Sequence, residues 1–333
     1  DGQWHTPHLP ALLCLLAANR QALDAPLYGS WIGRLLHRLT HLLRSNTRAG
    51  ARRNIAAHYD LGNDFYALWL DPAMVYSCAY YETEDTPLAQ AQWAKLDHIC
   101  RKLRLQPGEE LLDVGCGWGA LVMHAARHYG VKAVGITLSQ RQLDLARERI
   151  AASGLQGQVE VRLCDYRDMQ GQFDKISSVG MFEHVGLKNL PTYFGSVHRL
   201  LKPGGLFLNH GITHEEDGWG QALSSKFINR YVFPDGELDR VSNVTRVMEQ
   251  QKFELHDLEG LRMHYARTLR DWHKNVFRDP AAIRAMGYPE EFLRLWDYYL
   301  CYCEGGFLER HIGDVQMLLS KPRCTRPALL AIA

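Results

Sequence analysis

Short apolar runs alternate with amphipathic segments through the middle of the chain. The runs predict strands over Glu110–Val114, Val131–Thr137, Val159–Cys164, Phe173–Ser178 and Gly205–His210. Apolar residues at helical spacing predict helices near 119–129, 139–153 and 187–201. Strands that alternate with helices in this way form a parallel sheet with helices on both of its faces.

The region after Thr213 departs from this alternation. It begins with a helical insertion of about 35 residues, judged by its apolar spacing. Two further strands are predicted near Phe253–Met263 and Asp314–Leu319, and they would close the sheet. The predicted fold is therefore α/β, with a doubly wound, mostly parallel sheet of seven strands and helices on both faces.

The N-terminal segment is helical from Pro10 to Leu43, with a break near Asp24–Gly29. Its second piece, Trp31–Arg44, combines a broad apolar stripe with a basic face. The arginines here are Arg34, Arg38, Arg44, Arg48, Arg52 and Arg53, and no acidic residue lies between Asp24 and Asp60. This pattern is typical of a helix that lies on an anionic bilayer surface, with Arg34, Arg38 and Arg44 as its contacts. The alternative is that the stripe packs on the main domain and the arginines are solvated, or pair with acids across a dimer.

Composition narrows the classes of protein. The chain is 46% hydrophobic, enough for a buried core, and its net charge of +1 gives no general attraction to nucleic acid. The eight cysteines lack the pairing of a disulfide framework, and Cys301 and Cys303 are too close together for a zinc knuckle. Neither a signal peptide nor an apolar run of membrane-spanning length is visible. We expect a cytoplasmic protein without a metal, and the initial Asp1 leads us to expect a preceding segment.

A glycine-rich turn follows the first predicted strand. Asp113 is followed by Gly115, Gly117 and Gly119, and these glycines allow the backbone to approach a ligand at the carboxyl end of the strand. Such a turn also suits a nicotinamide dinucleotide or a purely structural turn. The spacing is not G-x-G-x-x-G, and Asp113 is positioned to reach an amino group, which favours S-adenosylmethionine.

The next two strand ends offer further cofactor contacts. An acidic residue that would grip the ribose is absent after the second strand, where Thr137 and Gln142 are the nearest polar substitutes. Ser139 is expected to cap the following helix without a ligand role. Asp165 and Tyr166, after the third strand, are placed to contact adenine, although Asp165 also suits a turn.

Six ordered motifs resemble the cyclopropane-fatty-acyl-phospholipid synthases and the related mycolic acid cyclopropane synthases. They are Tyr59–Tyr66, Tyr76–Tyr80, the glycine turn with Trp118, Phe182–His184, His210–Ile212 and His264–Leu269. The resemblance covers roughly residues 50–320. It implies a class I methyltransferase fold and transfer of a methyl group from S-adenosylmethionine to the cis double bond of an acyl chain, followed by closure of a cyclopropane ring.

The resemblance also implies residue roles. The implied cofactor contacts are Tyr76, Ser77, the 111–119 loop with Trp118, Thr137, Gln142 and Tyr166. The implied cradle for a bicarbonate ion, which would accept the proton lost on ring closure, comprises Cys78, Glu183, His210, the carbonyl of Ile212 and Tyr265. A covalent role for Cys78 is disfavoured, since the reaction needs no enzyme-bound methyl or acyl group.

The basic N-terminal segment resembles the tail of the lipid-binding domain of the bacterial phospholipid synthases. We therefore expect residues 1–50 to form an N-terminal helical, lipid-binding segment and residues 51–333 to form the catalytic domain. The expected partner is a phospholipid bilayer at the inner face of the bacterial membrane, and homodimer formation stays open. The competing functions are a methyltransferase that makes methyl-branched fatty acids, a small-molecule N-methyltransferase, and a lipid-binding protein without turnover.

Overall fold

Seven strands form a single sheet in the computed structural model, which describes residues 5–19, 61–215, 223–233 and 236–321. The strands are β1 (Glu110–Val114), β2 (Lys132–Thr137), β3 (Val159–Leu163), β4 (Phe173–Val179), β5 (Leu201–His214), β6 (Glu254–Gly260) and β7 (Ile312–Ser320). Their order is β3-β2-β1-β4-β5-β7-β6, and only β7 runs antiparallel to its neighbours. The predicted mostly parallel, seven-stranded sheet is confirmed.

Helices cover both faces of the sheet, as the alternation predicted. The described helices are α1 (Leu9–Ala18), α2 (Asn63–Ala67), α3 (Leu88–Lys102), α4 (Ala120–Tyr129), α5 (Gln140–Ala152), α6 (Leu190–Leu200), α7 (Leu223–Tyr231), α8 (Val241–Gln250), α9 (Arg262–Val276), α10 (Pro280–Ala285) and α11 (Glu290–Leu308). Successive side chains of β1 point to opposite faces, so Leu111 packs in the core beside α3, α4 and α5, and Leu112 in the core beside α6 and α8.

The bounds of β5 differ from the prediction at both ends. The strand begins at Leu201, which pairs with Phe173, and continues to His214, which pairs with Ile312. The extra length at its end comes from antiparallel pairing with β7. That partner lies about a hundred residues later in the chain, and a local pattern cannot reveal it.

A third, aromatic core lies beyond the carboxyl ends of the strands. Three of its indole rings, Trp69, Trp272 and Trp296, are almost fully buried, and they come from the region after α2, from α9 and from α11. Trp272 also contacts Tyr76 and Tyr265, with ring centroids 5.2 Å and 6.1 Å away. This core therefore fixes two of the predicted site residues against one tryptophan.

The N-terminal expectations are only partly covered by the structure. Helix α1 begins one residue before the predicted Pro10 and packs on α11, where Gly305 lies beside Cys14. The predicted basic helix, including Arg34, Arg38 and Arg44, and the boundary at residue 50 lie outside the described residues. Within the described ranges, no helix combines the length and apolar character needed to cross a bilayer.

Candidate active site

A cleft opens at the carboxyl ends of β1 and β2, next to the point where the strand order reverses between β1 and β4. It encloses about 990 Å³, its open mouth included. The predicted cofactor residues that line it are Tyr76, Ser77, Asp113, Gly115, Gly117, Trp118, Thr137, Gln142 and Tyr166. Doubly wound sheets bind nucleotide cofactors at this position. The tertiary structure therefore brings these residues from four separate segments of the chain into one cleft.

The glycine turn adopts a backbone conformation that glycine favours. Gly115, Gly117 and Gly119 have φ values of 84°, 53° and 83°. A Cβ built on Gly117 meets no protein atom within 4 Å, so it would project into free space at the cleft. Gly119 does not line the cleft, because it is the left-handed residue that starts α4. Its role in this structure is to begin the helix.

Asp113 is a buried acid in the wall of the cleft. Its Oδ1 accepts a hydrogen bond of 2.8 Å from the hydroxyl of Ser177 on β4. Burial raises the pKa of Asp113 to about 6, while the bond from Ser177 and the nearby Lys95 oppose the rise. The carboxylate is therefore ionised at neutral pH and can bind a cationic group of a ligand.

The end of β2 is organised by its own polar side chains. The hydroxyl of Thr137 donates to Oε1 of Gln142 over 2.7 Å, which holds both residues at the cleft. Ser139 caps α5, its hydroxyl accepting from the backbone N–H of Gln142, as predicted. The amide of Gln142 therefore faces the cleft as a polar substitute for the missing acid.

Asp165 was predicted to contact adenine, with a turn role as the alternative, and in the structure it forms an ion pair with a neighbouring arginine. Its carboxylate binds both the side chain and the backbone N–H of Arg167, with a shortest distance of 2.6 Å. It does not line the cleft, whereas the neighbouring Tyr166 does. This ion pair between residues two positions apart fixes the turn after β3, as the turn role requires, and a contact of Asp165 with adenine stays a prediction.

Glu183 lies in the short 3-10 helix Phe182–His184, directly behind the cleft. Its Oε1 accepts from the backbone N–H of Ile212 over 2.7 Å, and the close approach requires Gly211, where a Cβ would come within 2.3 Å of Phe182. Among the described residues, its Oε2 is buried without a hydrogen-bond partner. Burial raises the pKa of Glu183 to about 7. One carboxyl oxygen is thus available to exchange a proton near neutral pH.

His210 on β5 is nearly fully buried beside two residues of β7. Its Nε2 lies 2.8 Å from Oδ2 of Asp314, and its Nδ1 lies 3.3 Å from Nε2 of Gln316. Both ring nitrogens therefore have protein partners in this structure. A ligand that contacts the imidazole has to replace the longer bond, which is the one from Gln316.

Cys78 and Tyr265 complete the predicted group. The Cys78 thiol donates to the carbonyl of Ala79 over 3.3 Å, and burial together with Asp314 raises its pKa well above the usual value. Burial likewise raises the pKa of Tyr265, with further contributions from Asp314, Cys78 and Glu183. The thiol and the phenol therefore stay protonated and serve as hydrogen-bond donors.

The structure adds three polar residues that the sequence did not single out. Lys95 on α3 lines the cofactor cleft, and Asp314 and Gln316 contact His210. Asp314 lies in a predicted strand, but an isolated acid in an apolar run gives no indication of its partner. The one signal in the sequence is the acid itself. A buried acid within an apolar strand needs a polar partner, although the sequence does not say which one.

Comparisons with known proteins identify the family of this chain. Residues 46–317 match the family model for mycolic acid cyclopropane synthetase. The chain is 46% identical over 283 residues to a probable fatty acid methyltransferase of Pseudomonas putida, which covers 84% of this chain and 72% of that protein. It is 44% identical over 269 residues to the cyclopropane-fatty-acyl-phospholipid synthase of Escherichia coli K12, which covers 79% of this chain and 66% of that protein.

A solved structure gives the same result for the fold and the cofactor. The crystal structure of the mycolic acid cyclopropane synthase CmaA1 complexed with SAH and CTAB is 36% identical, with a TM-score of 0.77. The match covers 81% of this chain and 98% of that one. The seven-stranded sheet is that of the class I S-adenosylmethionine-dependent methyltransferases. The chain belongs to the mycolic acid cyclopropane synthetase family.

Proposed function

We propose that this enzyme transfers the methyl group of S-adenosylmethionine to the cis double bond of a phospholipid acyl chain and then closes a cyclopropane ring. The observation that carries the proposal is Glu183, a buried carboxyl with a pKa near neutral and one unpaired oxygen. It lies between Met181 and His184, which both line the cofactor cleft. Ring closure requires a base beside the methyl-donor site, because the added methyl must lose a proton, and a protonated carboxyl at this place can hold such a base by a hydrogen bond.

The polar groups of the cleft and the open space at Gly117 fit S-adenosylmethionine. When bound, the cofactor would supply an electrophilic methyl group. Gly117 would allow close approach of the backbone, Asp113 would bind the ammonium group, and Gln142 would offer an amide to the ribose. The indole of Trp118 is held by a 2.8 Å hydrogen bond to Asn63 and forms one wall. These residues orient the cofactor, which lowers the entropic part of the barrier.

A small anion such as bicarbonate would supply the base for ring closure. It fits the predicted group of Cys78, Glu183, His210, Ile212 and Tyr265 behind the cleft. Protonated Glu183 and the phenol of Tyr265 offer donors to it, and Oε2 of Glu183 would gain a partner. His210 would join the set by exchanging its bond to Gln316. Asp314 keeps the imidazole oriented during that exchange, because its own bond to the ring is the shorter one.

The lipid product tests the proposal directly. We expect cells that express the enzyme to convert monounsaturated acyl chains of their phospholipids into chains that are one CH2 unit heavier and contain no double bond. Mass spectrometry of intact phospholipids, with nuclear magnetic resonance of the ring protons, measures this product. Recovery of only unmodified chains from an enzyme that binds S-adenosylmethionine would contradict the assignment.

A second candidate product is a methyl-branched chain. The observation in its favour is the similarity to a P. putida protein that is named a probable fatty acid methyltransferase. In that case the cationic intermediate would lose a proton from an adjacent carbon of the acyl chain instead of from the added methyl group, and the product would be a methyl-branched chain that keeps one double bond. The same nuclear magnetic resonance spectrum separates the two outcomes, since only cyclopropanes have ring protons at high field.

Access to phospholipid requires contact with a bilayer, and we propose that the basic N-terminal segment provides it. The triple variant Arg34→Gln, Arg38→Gln, Arg44→Gln should bind vesicles of anionic phospholipid more weakly, since each arginine near such a surface contributes about 1 kcal/mol. The difference should shrink as salt rises, because the attraction is screened. Activity on detergent-dispersed lipid should stay near that of the wild type. Vesicle cosedimentation measures the binding.

The matched control removes the same charge elsewhere. Arg127, Arg246 and Arg294 are exposed on α4, α8 and α11, and their replacement by glutamine should leave vesicle binding nearly unchanged. Equal losses in the two triple variants would show that net charge alone matters. That result would favour the alternative in which the apolar stripe of the N-terminal segment packs on the main domain.

A further inference from the structure

Lys95 is a buried cation in the wall of the cofactor cleft. It lies in α3 with only 2% of its surface exposed, and its Nζ donates to the hydroxyl of Ser77 over 2.8 Å. Both residues line the cleft, together with Asp113. The ammonium is thus fixed at a position from which a ligand in the cleft can reach it.

Among the described residues, the ammonium of Lys95 forms no ion pair with an acid. No carboxylate oxygen among the described residues lies within 4.0 Å of its Nζ. The other two buried lysines contact acids: Nζ of Lys102 lies 2.6 Å from Glu259, and Nζ of Lys175 lies 3.5 Å from Glu109. A buried charge without an ion-pair partner destabilises the fold by several kcal/mol. Such a group at a cleft is a candidate ligand contact.

The methionine end of S-adenosylmethionine has the complementary charges. It carries an α-ammonium group, for which Asp113 is the acid in the cleft, and an α-carboxylate, which needs a cation. We propose that Lys95 binds this carboxylate, with Ser77 holding the ammonium of Lys95 in place. The inference rests on the S-adenosylmethionine cleft of the proposed function and adds the residue that recognises the amino-acid end of the cofactor.

Electrostatics explains why the ion pair also favours binding of the sulfonium cofactor. A fixed lysine cation would repel the positive sulfonium of the cofactor, and pairing with the carboxylate offsets that repulsion. Burial lowers the pKa of Lys95 to about 8, while Cys78, Asp71, Asp113 and Asp314 oppose the change. The lysine is therefore mostly charged at neutral pH, and a bound carboxylate would raise its pKa again.

The test compares two ligands that differ only in the carboxylate: S-adenosylhomocysteine and its decarboxylated analogue. Lys95→Met keeps the length and apolar stem of the side chain and removes its charge. We expect it to lower the affinity for S-adenosylhomocysteine by about tenfold to a hundredfold, the effect of losing a charge-assisted bond. Affinity for the analogue should change by less than about twofold, because that ligand never makes the bond. Isothermal titration calorimetry measures both constants.

Lys102→Met is the matched control, because it also removes a buried lysine of α3 but one that contacts Asp257 and Glu259 away from the cleft. It should leave both affinities unchanged. Equal losses for the two ligands in Lys95→Met, or no loss for either, would overturn the inference. These readouts do not depend on the lipid product, so a failed cyclopropane assay leaves this test intact.

The wild-type chain provides a second measurement that needs no variant. Lys95 loses its charge as the pH rises through about 8, so the preference for S-adenosylhomocysteine over the analogue should fall above that pH. Both ligands carry the same amine and adenosine, and their other pH effects largely cancel in the ratio. A ratio that stays constant from about pH 7 to about pH 10 would overturn the inference.

Discussion

Glu183→Gln is expected to lower turnover by about a hundredfold, the usual contribution of a positioned acid or base. Glutamine keeps an oxygen for the backbone N–H of Ile212 but cannot exchange a proton near neutral pH. Affinity for S-adenosylmethionine should change little, because Glu183 does not line the cofactor cleft. Single-turnover kinetics with calorimetry of cofactor binding separates the two quantities. Tyr265→Phe should behave in the same way, since it removes one donor from the same group.

Glu304→Gln serves as the control, because Glu304 is equally buried but lies on α11 and pairs with Arg270. It should leave turnover near the wild-type value.

Removal of dissolved carbonate should slow the wild-type enzyme, and added bicarbonate should restore its turnover. At a fixed bicarbonate concentration, turnover should fall as the pH rises above about 7, where ionised Glu183 repels the anion. Turnover that instead rises through this pH, with no response to carbonate, would make Glu183 itself the base.

Gly117→Ala is expected to abolish measurable binding of S-adenosylmethionine while the fold is retained. The added Cβ meets no protein atom within 4 Å and projects into the cleft, where the backbone has to approach the cofactor. At a φ of 53° an alanine destabilises the fold by about 1 to 2 kcal/mol, which is small beside the stability of a typical domain. Calorimetry measures the affinity, and thermal unfolding measures the stability.

Gly154→Ala separates the local strain from the effect on the cleft. Gly154 has a similar φ of 67°, its Cβ would also meet no atom within 4 Å, and it lies after α5, outside the cleft. The two variants should lose similar stability, and only Gly117→Ala should lose cofactor binding. Unchanged affinity in Gly117→Ala would place the cofactor away from the glycine turn.

Local patterns predicted most of the sheet. The bounds of β1 were predicted without error and those of β2, β3 and β4 to within one residue. Buried parallel strands are continuous apolar runs that end at turn residues, so each can be recognised in isolation. The end of β5 could not be predicted in this way, because residues up to His214 become a strand only by pairing with β7.

The sequence by itself determined the glycine turn and the residues of the cofactor cleft that sit at strand ends, because the carboxyl ends of parallel strands meet at one edge of the sheet. Only the tertiary structure decided which buried charges are paired. Asp314 meets His210 across 104 residues because β7 inserts beside β5, and Asp165 is paired because Arg167 folds back onto it in the turn after β3. Lys95 reaches the cleft because α3 packs against the sheet near Ser77. Ion pairs and hydrogen bonds act over a few ångströms in space, so the order of residues along the chain does not fix them.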